Sequence, residues 1–245
     1  DDFCTVSLDS SGDSLHKRGY RSSTNIAPIN EVLAAGLVLL SGYTGEGNFI
    51  DPMCGSGTIL IEAAMIACRI PANINRKHFA FENWPDYDED LYFLIQDSLL
   101  NKISSPHYKI IGFDKAPSAV QKAKENIENA NLSDFIGVHH VNFFNSRKEV
   151  FGDTTILFNP PYGERLELAD LEGFYKNIGD TLKSGYPDST VWFITSDLQA
   201  LKHVGLRTSK RIPLRNGDLE CRFVRYDMYE GSRKQKKTAW GTTEE

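Results

Sequence analysis

The sequence predicts a doubly wound α/β domain, a mostly parallel sheet with helices on both faces that ends in a C-terminal antiparallel hairpin. Short β-branched and apolar runs alternate with helical segments along nearly all of the 245 residues. One of these runs, Asn48 to Asp51, leads through the glycine turn Cys54-Gly55-Ser56-Gly57 straight into a helical segment. Near the end, Asn216-Gly217 lies between two strand-like runs. Asn-Gly is the strongest two-residue hairpin signal because both residues tolerate positive φ.

The length suits one large domain with a sizeable core. Hydrophobic residues make up 40% of the chain and charged residues 24%, a composition expected of a soluble globular protein, and the four cysteines, read as reduced, point to the cytoplasm. No apolar run approaches the roughly 20 residues that span a bilayer. No basic-then-apolar start marks a signal peptide. Cys4, Cys54, Cys68 and Cys221 show no Cys-x-x-Cys spacing, so neither a metal site nor a disulfide framework is expected. The net charge of −6 argues against a dedicated nucleic-acid binder, whose footprint is usually basic. Charge is uneven, however: Lys202 to Lys237 is basic and Glu82 to Asp97 acidic. A basic end on an acidic body can dock on phosphate, or it can be a solvated surface and a loose tail.

Residues 1–26 read as a hairpin and linker, with Phe3 to Leu8 and Ser14 to Arg21 flanking a turn at Ser10-Ser11-Gly12-Asp13. Starting in mid-strand without a methionine suggests a piece of a longer chain. Ala27-Pro28-Ile29-Asn30 opens a helix through Leu40 that is apolar on nearly all sides and is expected to be buried against the sheet. Ser41 to Gly47 forms a loop. Asn48 to Thr58 then makes a nucleotide-type cradle, followed by a helix from Ile59 to about Cys68. Its glycines let the backbone approach a ligand and the helix start offers free N–H groups, although a lone Gly-x-Gly is a weak signal.

An insertion follows, with a helix from about Asp88 to Lys102. Its Phe79, Phe81 and Trp84 either wall a base pocket or pack the insertion onto the body. His107 to Asp114 is the second core strand. A carboxylate at that strand end can accept from both hydroxyls of a ribose, or it can cap the next helix, which Pro117 opens and Asn129-Ala130-Asn131 stops. Phe135 to Asn142 reads as a third strand, on which His139 and His140 point to opposite sides and cannot share a metal. A helix from about Leu168 to Lys183 leads to a strand from Ser189 to Asp197. Leu206 to Leu214 and Asp218 to Tyr229 form the terminal hairpin, and 231–245 reads as a basic, disordered tail.

The chemistry concentrates at Asn159-Pro160-Pro161-Tyr162, after the apolar strand Thr154 to Phe158. Neither proline can donate to a sheet ladder, so the strand stops abruptly and the next residues are held at the sheet rim. An exocyclic amine is a poor nucleophile because its lone pair is delocalised. If the Asn159 oxygen and a Pro-Pro carbonyl each accept one N–H, they steer that lone pair toward an electrophile, and Tyr162 can stack on the flat substrate.

Asn-Pro-Pro-Tyr after a strand resembles the signature of S-adenosylmethionine-dependent methyltransferases acting on exocyclic or amide nitrogens, which have a Rossmann-like class I fold. With Gly163-Glu164-Arg165 appended, the chain is more narrowly similar to the RlmL-like, THUMP-associated RNA guanine-N2 methyltransferases. Leu15-His16-Lys17-Arg18-Gly19-Tyr20-Arg21 and Asp51-Pro52-Met53-Cys54-Gly55-Ser56-Gly57-Thr58 match that family as well. The resemblance covers about residues 3–230 and implies a methyltransferase domain over 27–230, an RNA-binding THUMP domain upstream, and an RNA substrate, 23S rRNA foremost. It implies that Asn159, Pro160, Pro161 and Tyr162 are catalytic. It implies cofactor contacts from Arg18, Tyr20, Asp51, Cys54, Gly55, Ser56, Gly57, Thr58, Asp114, Asn142, Phe143 and Asn159. Asp51 would face the cofactor's amino group, Asp114 its ribose, and Asn142-Phe143 its adenine, with Asn142 standing where many relatives carry Asp. Alternatives using the same clamp are N2-guanine methylation of tRNA, N6-adenine methylation of nucleic acid and N5-glutamine methylation of protein. An inactive RNA-binding module of the same fold is a further one.

Overall fold

The computed structural model describes residues 3–21, 29–161 and 171–229. Among them, seven strands form one sheet in the order β3-β2-β1-β4-β5-β7-β6. The strands are β1 (Asn48–Asp51), β2 (Ile110–Asp114), β3 (Ile136–His140), β4 (Thr154–Phe158), β5 (Ser189–Thr195), β6 (Lys210–Asn216) and β7 (Leu219–Met228). β1 to β5 run parallel, and β7 pairs antiparallel with both β5 and β6. The expected parallel sheet with a terminal hairpin is therefore present. The chain order reverses on either side of β1, where β2 and β4 flank it, and this switch point is where open α/β sheets bind ligands.

Among the described residues there are five α-helices, α1 (Glu31–Ser41), α2 (Thr58–Ala67), α3 (Glu89–Leu100), α4 (Pro117–Asn129) and α5 (Leu171–Gly185); α1, α2 and α4 cover one face of the sheet and α5 the other. One core layer lies under α1, α2 and α4 and contains Leu37, Leu60, Ile61, Ala123, Trp192 and Phe223. The other lies under α5 and contains Phe143, Phe158, Tyr175, Tyr186, Phe193 and Tyr226. β1 and β5 are buried on both faces, as parallel central strands require. Gly112 on β2 allows a close crossing of α2, because a Cβ there would collide with Leu60 and sit 3.2 Å from Cys54 Sγ. No helix among the described residues is long and apolar enough to cross a membrane.

Three expectations need correction. Residues 3–21 form no hairpin; Phe3, Val6 and Leu8 are exposed, and the segment is an irregular strap. Its backbone bonds go to the insertion instead: Phe81 N donates to Ser10 O at 3.2 Å and Ala80 N to Ser11 O at 3.3 Å. Helix α1 buries only one side; Ala34, Leu37 and Val38 are inside, while Val32, Leu39 and Leu40 face solvent. Sheet and α2 cover a single stripe of it, and uniform apolarity gave no sign of which stripe. The insertion aromatics pack largely on one another, with Phe79 stacked on Phe81 at 5.2 Å and Phe81 against Tyr87 and Tyr92. Helix α3 beyond them has no buried residue. Tyr162, the Gly163-Glu164-Arg165 extension, residues 22–28 and the tail 231–245 lie outside the described residues.

Candidate active site at the carboxyl ends of the strands

Parallel strands that start together also end together, so the switch point gathers residues distant in sequence. Asp51 closes β1, Asp114 closes β2, Asn142 lies just past β3, and Asn159 immediately follows β4. The turn after β1 carries Gly55 at φ 53° and Gly57 at φ 83°. Gly57 is the N-cap of α2 and supplies no side-chain cap, so the first amides of that helix have no side-chain acceptor. A Cβ at Gly57 would also press on Ala123 of α4 at 3.3 Å.

The cradle is braced from two sides. Asp114 Oδ2 accepts from Gly55 N at 2.9 Å and its Oδ1 from Ala116 N at 2.9 Å, which ties the β1 turn to the β2 turn. Asn126 Nδ2 donates to Ser56 O at 2.8 Å from α4. Asp51 accepts from Met53 N at 3.1 Å. Burial drives the Asp51 carboxyl well above the ordinary carboxylate range, and neighbouring Asp114 pushes it the same way. Burial, followed by both carboxylates, raises the Cys54 thiol. Burial in the cradle thus disfavours the ionised form of Asp51, and a cationic partner beside it would restore that form.

The amine clamp shows the complementary deficit. Pro160 is buried, Asn159 and Pro161 are half-buried, and Asn159 Oδ1 is a buried acceptor without a partner among the described residues. Tyr43 Oη, Trp192 Nε1 and Tyr226 Oη share that condition within the core, so what sets Asn159 apart is its place just past the end of β4, beside the switch point. Tyr162 lies outside the described residues.

The structure does not bring all the sequence-derived candidates to the cradle. Tyr20 donates its hydroxyl to Glu62 Oε1 at 3.0 Å, and Arg18 Nε lies 3.3 Å from the same oxygen. Arg18 Nη1 also reaches Asn73 Oδ1 at 3.3 Å. Thr58 accepts from Arg21 Nη2 at 3.1 Å, and Arg21 pairs with Glu31 at 3.1 Å. Arg18 and Tyr20 fasten the strap to the middle of α2 through Glu62, whereas Arg21 joins α1 to Thr58, the last residue of the cradle and the first of α2. Phe143 sits in the core against Phe158 and Tyr186, so its ring is not presented at the rim. Asn142 is exposed and accepts from Phe144 N at 3.1 Å. The residue missed by sequence reasoning is Glu62, whose signal was a lone charge in the apolar helix Thr58–Ala67. Burial raises its pKa despite the opposing pull of Arg18.

A 3-2-1-4-5-7-6 sheet with a glycine cradle after β1, an acid after β2 and an Asn-Pro-Pro corner after β4 defines a class I methyltransferase, whose cofactor is S-adenosylmethionine. Residues 18–225 match the family model described as "RMKL-like, methyltransferase domain", and the chain belongs to that family. It is 36% identical over 228 residues to a Synechocystis protein named "Putative RNA methyltransferase slr0064", covering 92% of this chain and 59% of that protein. It is also 36% identical over 245 residues to the ribosomal RNA large subunit methyltransferase K/L of Hahella chejuensis, covering 96% of this chain and 34% of that protein. This chain thus spans between a third and three-fifths of the length of these two relatives. The crystal structure of SMU.472, described as "a putative methyltransferase complexed with SAH", superposes with a TM-score of 0.83 at 32% identity, covering 91% of this chain and 58% of that one. A Listeria monocytogenes structure described as "a predicted N6-adenine-specific DNA methylase" gives a TM-score of 0.76 at 32% identity, covering 89% and 56%.

Proposed function

We propose that this domain transfers a methyl group to the exocyclic N2 of a guanine in RNA, with 23S rRNA as the foremost substrate. The observation that carries the reading is the buried, unsatisfied Asn159 Oδ1 at the Asn-Pro-Pro corner, an acceptor waiting for an N–H. Relatives named for RNA and for the large ribosomal subunit support the substrate class.

S-adenosylmethionine supplies an electrophilic methyl on a sulfonium. The donor set fits it: a buried carboxylate in need of a cation at Asp51, free amides at the start of α2 for a carboxylate, and remaining acceptor capacity on Asp114 for hydroxyls. At the clamp, Asn159 Oδ1 and the Pro160 carbonyl would each accept a hydrogen bond from one N–H of the amine and turn the nitrogen lone pair toward the methyl. Tyr162 stacks on the base. As the N–C bond forms, the methyl–sulfur bond would break and release S-adenosylhomocysteine; the methylated nitrogen, now acidic, would lose its proton to water, so no strong base is needed beforehand. A base paired inside a helix cannot reach the corner, so the target nucleotide is single-stranded or flipped out. An upstream RNA-binding domain of the THUMP type would deliver it.

A second reading, N6-adenine methylation, is favoured by the description of the Listeria structure and would use the same clamp. Nucleoside mass spectrometry separates the two. RNA from cells lacking the enzyme is incubated with the protein and isotopically labelled S-adenosylmethionine. Label in N2-methylguanosine is the expected result; label in N6-methyladenosine keeps the clamp and overturns the guanine assignment.

A further inference from the structure

The β6–β7 hairpin overhangs the rim on which Asn159 lies. The last β5–β7 pair is Thr195↔Arg222, but β6–β7 pairing continues through Leu214↔Cys221, Arg215↔Glu220 and Asn216↔Leu219. Three more steps of about 3.3 Å carry the tip roughly 10 Å past the end of β5. β4 and β5 pair Phe158↔Phe193, so two residues further on Pro160 is level with Thr195, and hence with Arg222. Two strand spacings of about 4.8 Å separate β4 from β7, which places the Arg222 backbone about 10 Å from the Asn-Pro-Pro corner.

The charge on this hairpin opposes that of the protein. From Lys210 to Met228 it carries five Lys or Arg residues against three carboxylates, Asp218, Glu220 and Asp227, in a molecule of net charge −6. Side chains alternate across a strand, and the pairs Arg211↔Val224, Pro213↔Arg222 and Arg215↔Glu220 put Arg211, Arg215 and Arg222 on one face. Arg211 and Arg215 are exposed and Arg222 is half-buried. Among the described residues Arg211 and Arg222 make no ion pair; Arg211 Nε donates to Thr208 Oγ1 and Arg222 Nη1 to Cys221 O. Arg215 lies 3.7 Å from Glu220 with both side chains about 70% exposed, a pairing that water and salt weaken. Pro213 lacks an N–H in the middle of this edge strand, which discourages another strand from pairing there.

We propose that Arg211, Arg215 and Arg222 form a phosphate-binding face that grips the RNA strand next to the nucleotide presented to Asn159. The proposal rests on the RNA reading above and adds the surface that holds the substrate. Guanidinium groups suit it because they fork onto phosphate oxygens and stay charged. A nucleotide turned out of its stack has to be fixed by its flanking backbone; Arg222 stands nearest the corner, and Arg211 and Arg215, one strand further out, extend the face along the flanking strand.

The test compares wild type with R211Q/R215Q/R222Q and R211K/R215K/R222K. Three quantities are measured: binding of a fluorescein-labelled RNA oligonucleotide across a salt series, S-adenosylhomocysteine affinity by calorimetry, and methyl transfer. Losing three phosphate contacts should lower the slope of log affinity against log salt by about 2. The RNA KM should rise about tenfold or more while S-adenosylhomocysteine affinity stays unchanged. The lysine variant should recover the slope and part of the affinity. The single variants Arg211→Gln and Arg215→Gln, on the exposed edge, should each remove about 0.7 of slope, and they decide the matter should the triple variant lose its fold. An active wild type with unchanged slope and KM in the glutamine variants overturns the arginine face. A wild type that binds S-adenosylhomocysteine but neither binds nor methylates RNA overturns the RNA reading and the face with it.

Discussion

Among the described residues Asn159 Oδ1 is withheld from water and has no hydrogen-bond partner, a condition that costs about 1–3 kcal/mol in a folded protein. A cost of that size is explicable where the missing partner is a substrate N–H. Replacing Asn159 with Ala should therefore lower kcat by about 10²–10³-fold, as loss of one preorganised polar group does elsewhere, with little change in stability. S-adenosylhomocysteine affinity, measured by calorimetry, should stay within about twofold of wild type; joint loss of binding and turnover would contradict the division between clamp and cradle. Asp51 makes the opposite kind of prediction. Its folded pKa is raised by burial, so its ionisation opposes folding. In the free protein that contribution is fully favourable below the unfolded carboxylate range and is lost as pH rises through the folded pKa. A cationic amino group bound beside it stabilises the ionised form, and binding then releases a proton. Affinity for S-adenosylhomocysteine should consequently rise with pH across a midpoint above the usual carboxylate range. In Asp51→Asn that rise should flatten.

Among elements, α2 does the most, because its first turn is the cradle while its middle anchors the strap. Glu62 takes hydrogen bonds from Tyr20 and Arg18, and the Arg18–Glu62 side chains are only 6% and 2% exposed. Burial raises Glu62 more than Arg18 lowers it, so the pair is costly to maintain and costlier to break. Glu62→Ala should reduce unfolding free energy by about 3–5 kcal/mol by stranding the Arg18 charge, read from urea midpoints. The double variant Arg18→Met/Glu62→Leu should recover much of that loss. The same elements show what sequence conveys. Strands β1, β2 and β4 were legible because apolar runs stopped by glycine turns or prolines are local signals, and their acids and Asn159 came with them. The strap was misread as a hairpin because its partners, Glu62 and Asn73, stand 44 and 55 residues away from Arg18. Phe143 was assigned to the rim from its position after β3, but only the packing of Phe158 and Tyr186 shows that its ring turns inward.

Across the whole molecule, one sheet rim carries the cradle, the clamp and the arginine face, and the two core layers hold them in register. Filling the cradle should therefore stabilise the entire domain and not merely a loop, because the Asp114 carboxylate links the turns after β1 and β2 and Asn126 joins α4 to the same turn. A ligand that binds only the folded state, present at about 100 times its Kd, adds about 2.7 kcal/mol. For a domain of this size that corresponds to a rise in Tm of about 5–10 °C. Thermal unfolding with and without S-adenosylhomocysteine should show this shift in wild type and in Asn159→Ala. Asp114→Ala should show little of it at the same ligand concentration, since it loses both the proposed ribose acceptor and the brace on Gly55. If Asp114→Ala kept the full shift, Asp114 would be a turn brace alone. If Asn159→Ala lost it, clamp and cradle would be one binding unit, and the rim would not divide its work between neighbouring strand ends.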